Sequence, residues 1–206
     1  MYQYEREAQA VGLTPVCGCD EAGAGPLAGR VYAAAVILPP EIELPGLNDS
    51  KQLSEKKREE LFPQIQEKAL AWAVAWVEAE EIDRTDILSA RMKAMQLAID
   101  ALAVKPVFAL IDGNRDKGKS FTIMAPHRCI VKGDSLSASI AAASILAKVS
   151  RDRYMVEMDG KYPGYGFAGH KGYGTKAHYA ALDELGPCAI HRKTFLVKWK
   201  GRGERP

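Results

Sequence analysis

Apolar positions along the chain repeat with two different periods. Short runs that alternate or stay apolar predict strands: 14–20 (TPVCGCD), 30–39 (RVYAAAVILP, stopped by Pro39 and Pro40), 70–79 (LAWAVAWVEA), 106–113 (PVFALIDG) and 127–134 (HRCIVKGD). Helical spacing predicts an amphipathic helix over 84–102, with Ile87, Met95, Leu97, Ile99 and Leu102 among its apolar positions. A polar helix over 54–69 opens at a possible N-cap, Ser54, with Glu55 in the first turn, and continues despite Pro63. Lys57 rather than an acid rules out a full capping box. A long Ala- and Ser-rich helix over 135–158 has the small side chains needed to pack closely on a sheet. A Gly- and Tyr-rich loop over 160–174, a helix over 175–186 and a basic tail follow. Strands interspersed with helices predict an α/β sandwich. One domain is expected over 1–206, with the sheet core and its helices over about 14–158. Residues 159–206 are expected to form a small helical part that meets substrate.

Bulk composition adds little. A net charge of +2 and 47% hydrophobic residues are ordinary for a globular chain. The basic stretches are more informative: 114–119 (NRDKGK), and the tail, with Lys198, Lys200, Arg202 and Arg205 against Glu204. Both lend weak support to a nucleic-acid partner. Four cysteines in no zinc spacing predict reduced thiols, with Cys17 and Cys19 on one face of a strand as small buried hydrophobes. No signal peptide or membrane-length apolar run is present, so a cytoplasmic protein without membrane contact is expected, with monomer as the default state.

Three predicted strands end at acids: Asp20-Glu21, Asp112 and Asp134. Clustered carboxylates repel one another, and a hard divalent cation relieves that repulsion, so the set reads as ligands for Mg²⁺ or Mn²⁺ suited to phosphodiester hydrolysis. Each acid alone also reads as a turn or cap residue, and for Asp134, ahead of Ser135, capping is the simpler reading.

The segments DEAGAGPLAG, LNDSKQLS, LIDGN, VKGDS, AAASILAKVSRD, YGFAGHKGYGT and HRKTF resemble, in order and spacing, the blocks of the ribonuclease HII family over about residues 14–197. That resemblance implies a ribonuclease H-like mixed five-stranded sheet flanked by helices. It also implies an endoribonuclease that cuts the RNA strand of RNA/DNA hybrids and incises duplex DNA 5′ of single embedded ribonucleotides. The products would carry 3′-OH and 5′-phosphate ends, and catalysis would use two ions held by Asp20, Glu21, Asp112 and Asp134. Gly23, Ala24 and Gly25 would sense the 2′-hydroxyl through their backbone, and Tyr173 would stack on the next sugar. Asn48, Ser50, Lys51, Lys148, Lys171, His191 and Arg192 would contact phosphates, whereas Asp152 reads as a structural ion-pair partner. His170 and His191 read as orienting groups rather than general bases.

The family has arginine where this chain has Ala24. Alanine forfeits a bidentate phosphate grip. It reads either as a substitution that probes or cripples recognition or as a natural variant compensated elsewhere, with metal binding kept and cleavage weakened. A type III ribonuclease H and a hybrid-binding protein without activity are the alternatives. The end of the tail, KGRGERP, lacks the hydrophobic and aromatic pattern of a sliding-clamp peptide.

Overall fold

Five strands form one mixed sheet in a computed structural model that describes residues 1–200. They are β1 (Val16–Ala22), β2 (Val31–Ile37), β3 (Ala71–Val77), β4 (Phe108–Asp112) and β5 (His127–Ile130), in the spatial order β3-β2-β1-β4-β5. β1 pairs antiparallel with β2 and parallel with β4, so it lies at the centre, where its neighbours cover both edges. The long helices are α2 (Glu55–Lys68), α4 (Ile87–Asp100) and α6 (Ala138–Lys161); α1 (Gln3–Ala10), α3 (Ala79–Arg84), α5 (Gly133–Leu136), α7 (Phe167–His170), α8 (Lys176–Leu185) and α9 (Val197–Lys200) are shorter.

Strand alternation sorts side chains onto two buried faces. Cys17 and Cys19, with Val31, Ala33, Ala35 and Ile37, pack against Met92, Met95 and Ile99 of α4. Ala34 and Val36 face the other way, onto Leu61 and Ile65 of α2 and Ala142, Ile145 and Leu146 of α6. The two thiols are buried and free, as expected, and burial pushes Cys17 up to about 12. Gly18 marks where α6 lies nearly flush on the sheet. A Cβ there would sit 2.2 Å from the Ile140 nitrogen and the Ser139 carbonyl carbon. The C-terminal part closes over the far half of α6, with Phe167, Leu182 and Leu196 packing on Tyr154, Met155 and Met158.

Several boundaries differ from the sequence reading. β1 runs through Asp20 and Glu21 to Ala22, so these acids lie inside the strand. β5 stops at Ile130, and Asp134 sits in α5 after a left-handed Lys132. The cap of α6 is Ser137, whose hydroxyl accepts from the Ile140 amide. The predicted 84–102 helix begins at Ile87 behind the N-cap Asp86, and α1, which the sequence reading did not anticipate, turns Tyr4 and Ala8 inward from an otherwise polar segment. Arg202 and Arg205 of the basic tail lie outside the described residues. No helix among the described residues is long and apolar enough to cross a membrane.

Candidate active site

The parallel register that sets Cys19 beside Ile111 carries on to bring Asp20 next to Asp112 on the α6 side of the sheet. The turn through Lys132 then folds α5 back, and the Asp134 amide donates to Asp112 Oδ1 at 3.4 Å. One ligand oxygen from each of Asp20, Asp112 and Asp134 lies within 4.8 Å of the others. All three carboxyls titrate above the usual carboxylate range, chiefly through burial and then through a neighbouring acid: Glu21 for Asp20 and Asp112, and Asp112 for Asp134. Three hard oxygen donors that destabilise one another match a divalent cation. Lys51 answers part of the charge, with its ammonium 3.4 Å from Asp134 Oδ2.

Glu21 does not join the three. As the next residue on the strand it points to the opposite face, where Oε1 meets Arg91 Nη2 of α4 at 2.7 Å. Its Oε2 has no hydrogen-bond partner among the described residues. Asp152 is the ion-pair partner that the sequence suggested, held by Lys148 at 2.7 Å and by Arg58 at 3.9 Å.

Next to the carboxylates, the loop from Gly23 to Arg30 is held from beneath by two buried arginines. Arg192 Nε donates to the Gly29 carbonyl at 2.9 Å, Nη1 to Ala24 at 3.0 Å and Pro26 at 2.9 Å, and Nη2 to Gly23 at 2.7 Å. Arg151 donates to the carbonyls of Ala28, Arg30 and Lys171. Its side chain lies where a Cβ on Gly23 would have to go, 2.0 Å from Nε, and Gly23 has φ +95°. Burial depresses both guanidinium pKa values below the usual range.

Tyr173 stands at the open side of this loop, 46% exposed, with its ring edge 3.7 Å from where a Gly25 Cβ would be. A chain of imidazoles fixes its backbone. The Cys188 amide donates to His191 Nδ1 at 2.9 Å, the two Nε2 atoms of His191 and His178 are 3.0 Å apart, and His178 Nδ1 lies 3.0 Å from the Tyr173 carbonyl. Only one tautomer set satisfies all three contacts: His191 donates from Nε2 and His178 from Nδ1, both rings neutral. Burial pushes His191 down to about 4. His170 accepts from the Gly172 amide through Nδ1 and so donates to the Tyr165 carbonyl.

Several expected phosphate contacts are placed otherwise. Arg192 and His191 are buried and shape the loop from inside, so they do not present to a phosphate. Ser50 is buried as well, its amide facing the Ser144 hydroxyl. Lys148 is committed to Asp152, Lys171 bonds the Ala168 carbonyl, and Asn48 accepts from the Asp49 amide. Of these, Lys51 remains exposed, as does Tyr173, the residue expected to stack on a sugar. The sequence reading did not single out Arg151, His178 and Cys188. The available signal was arginine and histidine inside otherwise apolar or small-residue helical segments, where a polar group needs a specific buried partner.

A family model described as Ribonuclease HII matches residues 17–200. The ribonuclease HII of Laribacter hongkongensis is 58% identical over 180 residues, covering 87% of this chain and 90% of that one. That of a Geobacter species is 57% identical over 191 residues, covering 93% and 81%. Among solved structures, ribonuclease H2 from Pyrococcus horikoshii superposes with a TM-score of 0.75 at 25% identity, covering 93% of this chain and 99% of that one. A Bst-RNase HIII in complex with Mn²⁺ shares the fold, with a TM-score of 0.66 at 20% identity over 97% and 73%.

Proposed function

The chain belongs to the ribonuclease HII family and is a metal-dependent ribonuclease H; on that premise we propose that it hydrolyses the RNA strand of RNA/DNA hybrids and incises duplex DNA 5′ of a single embedded ribonucleotide, leaving 3′-OH and 5′-phosphate ends. The observation that carries the reading is the convergence of Asp20, Asp112 and Asp134 beside a loop of glycine-flanked backbone. These three carboxylates would hold two divalent ions, Mg²⁺ or Mn²⁺, and Glu21 would complete the set only on leaving Arg91 and turning toward them. Such ions supply an activated nucleophile and neutralise charge at the leaving oxygen. The protein's own contribution is to keep the carboxylates close at a cost in repulsion, and to aim the amides of residues 23–25 at a ribose.

Ala24 enters this reading in a particular way. Its carbonyl is held by Arg192, so the course of the loop does not depend on the side chain at position 24. What alanine lacks is a guanidinium fork for a neighbouring phosphate. We therefore expect recognition to be weakened rather than lost. The direct test is incision of a duplex holding one ribonucleotide, with product ends mapped, in Mg²⁺ and in Mn²⁺. Binding without a cut in either ion refutes the enzymatic reading. Ala24→Arg should raise kcat/KM on that duplex and on a continuous hybrid, and unchanged rates on both remove the role assigned to this position.

A further inference from the structure

The basic segment 114–119 has a place in the fold that the carboxylate site does not account for. It begins the connection between β4 and β5, directly after Asp112. That connection is anchored along its inner side. The Ser120 amide donates to Ser89 Oγ at 2.9 Å, and Gly118 lies so close to α4 that a Cβ would sit 2.4 Å from the Ser89 nitrogen. The amides of Met124 and Ala125 both donate to Gln96 Oε1. Ile123 is buried, and Phe121 and Ala125 pack on the α4 core.

Charge is sorted by the same anchoring. The single acid of the segment, Asp116, turns to His127, 3.2 Å from Nε2. Arg115, Lys117 and Lys119 are exposed, and their side chains have no hydrogen-bond or ion-pair partner among the described residues. Between Arg115 and α4 lies an open hollow lined by Leu88, Arg91, Asp112, Gly113, Asn114 and Arg115. It adjoins Asp112 on the side opposite Lys51, since Arg91 belongs to the α4 face and Lys51 approaches the Asp134 side. A held backbone carrying three free cations loses little order on binding, which favours a fixed polyanion over a mobile counterion cloud.

We propose that Arg115, Lys117 and Lys119, with Arg91 behind them, form a second phosphodiester-binding surface, which grips the nucleic-acid backbone on the α4 side of the carboxylates. This rests on the functional reading above and adds a contact surface to it. Phosphate contacts of this kind position a duplex without reading its sequence.

The test measures affinity for a short RNA/DNA hybrid in EDTA across a salt series, together with steady-state cleavage in Mg²⁺. Each lost phosphate contact should take roughly 0.7 to 0.9 off the slope of log K against log salt. R115A/K117A/K119A should therefore flatten the slope by about 2 and raise KM several-fold, with kcat at saturation and melting temperature unchanged. K68A/K105A removes two cations from the segments that lead into β3 and β4, at the opposite end of the sheet, and should leave the slope alone. A triple variant with the wild-type slope and KM overturns the inference, as does one that lowers kcat with KM unchanged. A wild-type protein that neither binds nor cuts the hybrid overturns the functional reading instead.

Discussion

Replacing Arg192 by lysine isolates what the buried guanidinium does for the loop from Gly23 to Arg30, to which recognition of the ribose is assigned in the proposal above. The positive charge stays, but the planar fork that reaches four carbonyls from Gly23 to Gly29 is lost. A single ammonium at the same depth satisfies about two of them. Hydrogen bonds to a charged donor contribute about 1.5 to 3 kcal/mol each and are not additive, so losing two costs about 3 to 5 kcal/mol. For a chain of this size that is a drop of roughly 6 to 20 °C in melting temperature. Arg192→Ala would leave all four carbonyls unpaired and approach the whole stability of a domain, which makes lysine the informative choice. Thermal unfolding followed by circular dichroism gives the first readout, and incision of two substrates the second. We expect kcat/KM to fall further on a duplex with one ribonucleotide than on a continuous hybrid, because the former offers a single 2′-hydroxyl to the displaced amides. A melting temperature within about 2 °C of wild type refutes the energetic argument. A large drop with the substrate ratio unchanged refutes the link to recognition.

Other perturbations address the rest of the molecule. Asp20→Asn should raise the melting temperature of the metal-free protein, because a neutral amide is less costly to bury than a carboxylate and relieves the repulsion with Glu21 and Asp112, while abolishing Mg²⁺-dependent cleavage; a lower metal-free melting temperature contradicts this. Gly18→Ala should cost at least about 3 kcal/mol in urea unfolding, since the new Cβ meets the backbone of α6 rather than a movable side chain. His191 is held neutral down to about 4, whereas an unfolded histidine protonates near 6.5. The unfolded chain therefore binds the extra proton first, and stability falls as pH drops from 6.5 toward 4, by about 3 kcal/mol for this residue alone, levelling off below. His178, depressed in the same direction, adds to the loss. Urea unfolding at neutral pH and near 4.5, compared with His191→Gln, checks this; equal acid loss in the variant rules it out.

How much of this was legible in the sequence depends on the range of the interaction. The strand runs were visible because burial on both sheet faces demands continuous apolar stretches, and the seven family blocks named the acids before any geometry. The opposed directions of Asp20 and Glu21 also followed from strand alternation, once β1 was known to continue through them. The end of β5 and the position of Asp134 were not legible, because they depend on a left-handed Lys132 that composition does not announce. Least visible were Arg192 and His191, which read as surface phosphate contacts. Their partners lie 160 or more residues away for the arginine, and in the Cys188 and His178 neighbourhood for the histidine. Burial of such polar groups is decided by tertiary packing and leaves no local periodicity.

Arg151 and Arg192, under the loop from Gly23 to Arg30, have no carboxylate in hydrogen-bond contact among the described residues; carbonyl dipoles hold them directly, and Asp152 and Asp83 act on them only through space. In electrostatic terms the free protein carries two partly compensated cations behind a thin layer of backbone. On the function proposed above, a nucleic-acid strand laid on that layer would add the missing negative charge, in a setting less screened than open water. Occupancy and loop rigidity are then thermodynamically linked. Each hybrid bound should slow hydrogen exchange of the amides from Gly23 to Arg30 and raise the unfolding midpoint with ligand concentration. The loop would thus be most ordered when it is in use.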